Sequence, residues 1–277
     1  VNDIFNEYYD DTFEVRRALD RYMTSVGGLQ KLQFAVPAAA PGAVMEPDYL
    51  RQLDAFVLWA ETQPRVSHVS SFVDVVKRLN RNMHGGDEAY YVVPEERELI
   101  AQLVLMYELG LPFGLALDSQ VDLGRSVSKV EVVFERIRSD DLVQERERMN
   151  AWIASHWPAY MQTRATGLDS LFGDISFQNV TSMLTGTVFA LVLISALLAW
   201  SLRSWRYGLL SLVPNLLPAL VAFGIWGLWV SEIGLVASVL GCMTLGIIVD
   251  DTVHLLSKYV RAKRELGLDS EAAGEYA

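Results

Sequence analysis

The sequence predicts an α+β domain followed by three membrane-spanning helices, and three observations carry that expectation. Hydrophobic residues make up 51% of the chain, its mean hydropathy is positive, and the apolar weight lies toward the C-terminal end. From residue 185 to residue 257 the formally charged side chains are Arg203, Arg206, Glu232, Asp250 and Asp251 alone. Ahead of residue 183, runs of strand and helix period alternate through an ordinary mixture of charged and apolar residues.

Within the N-terminal part, residues 31–36 alternate as a strand, and residues 48–62 carry Leu50, Leu53, Phe56, Val57 and Trp59 at helical spacing. Residues 66–71 then resemble a second strand. Residues 129–137 repeat the strand signal, and 140–156 repeat the helical one through Leu142, Met149, Trp152 and Ile153. Residues 161–167 return as a strand. The same β-α-β order occurring twice predicts a split β-α-β, ferredoxin-like α+β domain. Helical candidates at 72–81 and 95–108, joined by a polar, glycine-bearing stretch, form an insertion over residues 72–126. Met83, Tyr90 and Tyr91 in that stretch read either as the lip of a substrate pocket or as a loop packed on its own domain. Residues 2–25 place Phe5, Tyr8, Phe13, Leu19 and Met23 at helical spacing and are expected to link a preceding span to this domain.

Three spans follow from length and flanks, at residues 183–202, 209–230 and 233–257, each long enough to cross a hydrocarbon core of about 30 Å as a helix. Trp200, Trp205 and Tyr207 gather at the first turn, and Trp226 and Trp229 at the second, as interfacial aromatic belts do. The first turn also carries Arg203 and Arg206. Lys258, Arg261, Lys263 and Arg264 follow the third span, whereas the second turn offers only Glu232. Positive charge stays on the cytoplasmic side, so residues 1–180 are expected outside the cytoplasmic membrane, residues 181–264 within the membrane segment, and residues 265–277 in the cytoplasm. In a Gram-negative cell the N-terminal domain would then be periplasmic. Pro214 and Pro218 are expected to kink the second span. Small residues four apart on the third span, Ala237 with Gly241 and Ser238 with Cys242, together with Gly246, suit close helix packing. Beginning at Val1 and stopping at Ala277 just after a span, the chain is expected to be a piece of a longer protein.

The feature that speaks of function is the pair Asp250 and Asp251 inside the apolar run of the third span. Carboxylates in hydrocarbon are costly, and those retained there face a bundle interior and serve a proton or ion path. At about 1.5 Å per residue, Asp250 lies roughly 25 Å along the helix from Ile233, in the cytoplasmic half of the membrane; the plainer reading has the pair reaching the cytoplasmic interface. Adjacent residues point about 100° apart on a helix, so the two carboxylates can address different neighbours, with His254 falling angularly between them one turn on. Two carboxylates so close titrate as a coupled pair. His254 reads equally as a relay member or a hydrogen-bonding helix residue, and Thr244 and Thr252 as hydroxyl donors to the pair or packing residues.

Charge and motif searches remove other classes. The net charge is −11, and from Thr181 onward six Lys and Arg stand against seven Asp and Glu, so about ten of the eleven negatives belong to the N-terminal part. That balance argues against nucleic acid as a partner. Cys242 is the lone cysteine, which excludes an intrachain disulfide. No His/Cys metal cluster, phosphate loop, Gly-x-Ser-x-Gly or metalloprotease spacing occurs, so the sequence predicts no enzyme, no metal and no cofactor beyond protons as coupling ion.

The arrangement of an extracytoplasmic α+β domain and three spans, with Gly246-x-x-x-Asp250-Asp251 in the third, resembles the resistance-nodulation-division (RND) superfamily. The run from Arg203 through Pro214, Asn215 and Pro218 to Leu220, together with Gly246 to Tyr259, is similar to bacterial MMPL-type exporters over nearly the whole membrane part. The resemblance implies a porter-type domain, here the large periplasmic loop and following three spans of the second repeat. It also implies Asp250 and Asp251 as proton relay, proton-driven export of hydrophobic, amphiphilic or lipid-like molecules, and a bacterial inner-membrane location. The partners it implies are the lipid bilayer, the substrate, the remaining spans of the same protein and, in a homo-oligomer, further copies of the chain. A competing class of the same architecture is a non-exporting lipid or sterol sensor or a protein-secretion accessory; a third is a tethered periplasmic binding module with inert spans.

Overall fold

A computed structural model describes residues 9–25, 27–110, 117–135, 137–229 and 234–277. Phe5 and Tyr8 of the expected N-terminal helix, and Val230, Glu232 and Ile233 at the second turn, lie outside the described residues. The described residues are mostly helical and fall into two compact units, one ending at Asp174 and one running from Ile175 onward.

The first unit opens with α1 (Glu14–Ser25) and is built on β1 (Gln30–Pro37), α2 (Pro47–Glu61) and β2 (Val66–Ser71). After these come α3 (Phe72–Met83), α4 (Arg97–Gly110), β3 (Val127–Phe134) and α5 (Ser139–His156). Its sheet has three strands in the order β1-β3-β2, and both outer strands run antiparallel to β3. β1 and β2 are therefore parallel to each other with β3 inserted between them. The insertion predicted over 72–126 consists of α3, α4 and short 3-10 turns.

Period-2 alternation sets one sheet face against the helices. Leu32, Phe34, Val36, Val130, Val132 and Phe134 are buried with Leu50, Leu53, Phe56 and Val57 of α2 and Leu142, Met149 and Ile153 of α5. Phe56 is the hub: its ring lies 5.3 Å from Phe34, 5.3 Å from Trp152 and 5.2 Å from Trp157, in the tilted and edge-on geometries aromatic pairs prefer. The other face carries a polar ladder in which Gln33 Nε2 donates to Glu131 Oε2 at 2.7 Å and Lys31 approaches Glu131. Burial pushes the Glu131 carboxyl up, but Gln33, Lys129 and Lys31 outweigh it and hold the group below the usual glutamate range. Tyr49 closes the strand ends, its hydroxyl 2.9 Å from Val36 O and 2.6 Å from Ser128 Oγ; burial pushes it up to about 12.

The returning strand predicted at 161–167 is not formed. Residues Ala159–Met161 make a 3-10 turn, and only Thr166 bridges β1, through Gln33 N to Thr166 O at 2.9 Å and Thr166 N to Gln33 O at 2.7 Å. The physical reason lies in the next residues. Gly167 turns the backbone to φ 120°, α6 (Leu168–Ser201) starts immediately after, and Asp169 Oδ2 accepts from Lys31 N at 3.0 Å. A helix-start carboxylate thus occupies the β1 donor that another strand residue would have taken.

The second unit is three long apolar helices and a short one: the greater part of α6, α7 (Trp205–Trp229), α8 (Leu235–Glu265) and α9 (Ser270–Tyr276). The first three are long and apolar enough to cross a membrane. Helix α6 starts well ahead of the predicted span at residue 183, because its first turns, with Asp169 and Asp174, are polar and escape a search for apolar length. Pro214 and Pro218 both lie inside α7, which continues through them.

Candidate functional site

The turn that ends α6 sets the geometry of the membrane unit. Arg203 takes the left-handed conformation at φ 48°, Ser204 N bonds to Ala199 O at 2.9 Å and Arg203 N to Trp200 O at 3.1 Å. These are the paired bonds of a Schellman motif, in which the left-handed residue satisfies the last carbonyls of the helix. Chain reversal then lays α7 against α6 at Gly208, where a Cβ would come within 2.5 Å of Ala199 Cβ and 2.8 Å of Ser195 O. Ser211, one turn on, is fully buried and gives its hydroxyl proton to Gly208 O at 2.7 Å.

Helix α8 meets both neighbours. Gly241 lies against α7, where an added Cβ would stand 2.5 Å from Phe223 Cζ. Cys242 faces α6, its sulfur 3.1 Å from Thr187 Oγ1. Toward the other end, Leu256 and Val260 are buried with Leu198 of α6 and Leu202 just after it, and Tyr259 meets Tyr207 edge-on at 6.2 Å. Between these contacts Thr252 is buried, with its hydroxyl 2.7 Å from Asn215 Oδ1 on α7 and 2.9 Å from Ile248 O on its own helix.

The acids stand outside this packing. Asp250 is 74% exposed and Asp251 is exposed; His254, equally open, places Nε2 3.7 Å from Asp250 Oδ1. Among the described residues His254 is the one ion-pair partner either acid has. Thr244 is exposed and donates to Leu240 O at 2.8 Å, as hydroxyls on helices do when no other acceptor is near. Gly246 faces open space, and Ala237 is half-buried. Of the predicted site residues the structure thus brings together Asp250 and His254, sets Asp251 beside them, turns Thr252 toward α7 and leaves Thr244 apart. The residue that sequence reasoning passed over is Asn215, fully buried and bonded across the α7/α8 contact. Its signal was present: it is the single carboxamide between Arg206 and Trp229.

A second set of buried charges belongs to the first unit. The Lys77 side chain is 5% exposed, with Nζ 2.6 Å from Asp54 Oδ1, 3.3 Å from Asp74 Oδ1 and 4.9 Å from the centre of the Tyr91 ring. Burial pulls the ammonium down, yet the hydrogen bond and charge of Asp54, with Asp74 behind it, raise it overall. Asp74 behaves differently, because burial raises its carboxyl by more than Lys77 lowers it, and Asp74 Oδ2 has no hydrogen-bond partner among the described residues. The neighbouring loop is pinned to α3: Asn80 Nδ2 donates to Tyr90 O at 3.0 Å and to Val92 O at 3.1 Å, and the His84 and Tyr90 rings stack at 3.7 Å. Tyr91 therefore packs on its own unit beneath Lys77, while Tyr90 stacks on His84 yet stays exposed, as Met83 does.

No protein-family model matches the chain, and no curated protein matches it either. Among the described residues no group of three His, Cys, Asp or Glu side chains is placed to hold a metal ion. The chemistry that the membrane unit offers lies in its carboxylates, an imidazole and a buried amide–hydroxyl pair: groups that exchange protons and hydrogen bonds.

Proposed function

We propose that this chain is part of an RND-type secondary transporter of the MMPL kind, exporting hydrophobic or lipid-like molecules at the expense of the proton gradient, with Asp250 and Asp251 as the proton relay. The observation that carries this reading is the contrast on α8. Its neutral polar side chain Thr252 is buried and bonded across to α7, whereas two adjacent carboxylates on the same apolar helix find no partner on α6 or α7 among the described residues. Carboxylates are not left to hydrocarbon, so further spans of the same protein cover them. Protonating one acid changes which helix it holds, and one proton crossing 100 mV is worth about 2.3 kcal/mol, enough to bias a rocking motion between helix bundles.

The first unit supports the same reading. With Thr166 bridging the free edge of β1, the strand order β1-β3-β2 supports the reading of a ferredoxin-like domain whose fourth strand is reduced to one bridge. The basic ends, Arg203 and Arg206 on one turn and Lys258 to Arg264 after the third span, support a reading in which the first unit faces the periplasm of a bacterial inner membrane. Export of a fluorescent lipid analogue from cells carrying the full-length protein tests the function. Efflux above that of cells lacking the protein, abolished when the proton gradient is collapsed, is the expected outcome. Efflux indifferent to the gradient, or absent, transfers the chain to the sensor or secretion-accessory class.

A further inference from the structure

We infer that Asn215 and Thr252 are positioning residues for the aspartate pair, holding α8 at one rotation about its axis through a hydrogen-bonded link between α7 and α8. The inference rests on the relay reading of Asp250 and Asp251, and it adds the device that aims them. Asn215 is 0% exposed and Thr252 6% exposed, and Asn215 Oδ1 lies 2.7 Å from Thr252 Oγ1. Thr252 follows directly on the two acids, so at about 100° per residue any turn of Thr252 away from α7 swings both carboxylates with it. Leu256 against Leu198 and Leu202 is an apolar contact, which tolerates small rotation, whereas a hydrogen bond between two buried groups is directional. A second polar contact of α8, Cys242 with Thr187 at 3.1 Å, lies ten residues before Thr252 and leaves the link at Asn215 as the directional contact beside the acids.

The amide has a second property. With Thr252 donating to Asn215 Oδ1, Asn215 Nδ2 has no hydrogen-bond partner among the described residues. Turning the amide over lets Nδ2 donate to Thr252 Oγ1, and the hydroxyl then donates to Ile248 O at 2.9 Å. The link therefore has two hydrogen-bonded forms that share one set of heavy-atom positions. It persists whichever way the hydroxyl points, which suits a support that must hold while its neighbours change protonation. Among the described residues His254 pairs with Asp250; Lys258 and Tyr259 follow on α8, and α6 and α7 bring Arg203, Arg206 and Tyr207 at and after their turn.

The test uses a hydrophobic carbodiimide, which reacts with protonated carboxyls in membranes, on the full-length protein in native membranes. The extent of labelling at Asp250 and at Asp251 is read by mass spectrometry across pH. Thr252→Val, which keeps shape and loses the hydroxyl, is expected to shift the half-labelling pH of at least one acid by about half a unit, roughly a threefold change in proton affinity. Thr252→Ser is expected to restore the parental profile, and Asn215→Leu to reproduce the Thr252→Val profile. Parental profiles in Thr252→Val would overturn the inference, and this variant decides the matter even where Asn215→Leu accumulates poorly. The readout does not require export. A shifted profile in a protein whose efflux ignores the gradient leaves the positioning role standing and removes the transporter reading; the converse result removes only the positioning role.

Discussion

Lys77 on the amphipathic α3 and Asp250 on the apolar α8 are both ionisable side chains, and the two units surround them in opposite ways. Lys77 reaches two carboxylates and an aromatic face from α2, α3 and the loop after α3, all within its own unit. Asp250 and Asp251 have one imidazole on their own helix, and the neighbouring helices offer neither acid a partner among the described residues. The difference teaches what each charge is for. A charge that serves the fold arrives with its partners, since a buried ion without them costs several kcal/mol. A charge held on a membrane-length helix without partners nearby is, on our proposal, kept for contacts that form and break during a transport cycle.

Removing the partnered charge should have the largest effect. Lys77→Met leaves Asp54 and Asp74 facing each other in a buried site, and the full-length protein should lose about 3–5 kcal/mol of stability in its first unit, seen as an earlier transition in protease resistance on heating. A loss below about 1 kcal/mol would mean that the cluster is solvated in practice and that the contrast between the units is weaker than drawn.

On the membrane side, Gly208→Ala should cost about 1–3 kcal/mol, because its methyl meets Ala199 and the Ser195 carbonyl, backbone that cannot step aside. Thermal unfolding of the purified protein in detergent measures this. No loss would show that α6 and α7 can separate there without penalty.

A smaller and pH-dependent effect belongs to Asp74. Burial raises its carboxyl above the ordinary aspartate range in the folded state. A raised carboxyl contributes stability that is fully present below the unfolded value, and that contribution is lost as pH rises through the folded value. Asp74→Asn cannot ionise, so its stability relative to the parent should improve as pH rises through and above the ordinary aspartate range, read as the difference between the two thermal unfolding transitions at a series of pH values. A difference that is flat with pH would place the orphaned Asp74 Oδ2 in contact with water.

What was legible in the sequence follows the same division between local pattern and long-range partner. β2 reads as residues 66–71, its observed bounds, and α2 and α5 read within a residue at each end, because strand and helix signals are local properties of the chain. The stretch 161–167 failed because its alternation competes with the start of α6 and with the Asp169 carboxylate, which sequence spacing does not reveal. The start of α6 was missed because apolar length marks a span and not a helix. In the site, the acids were conspicuous as charges in an apolar run. Asn215 was not, since a single amide gains meaning only when the helix facing it, and the hydroxyl on that helix, are known.

Neutralising the acids tests the account most directly. Export of the lipid analogue would be followed in cells carrying the full-length protein with Asp250→Asn, Asp251→Asn or both, at matched protein levels, under an imposed proton gradient and after its collapse. The account predicts that gradient-dependent efflux disappears in the double variant while the protein still accumulates in the membrane. Efflux undiminished in the double variant would contradict it and leave the two aspartates as structural or interfacial groups.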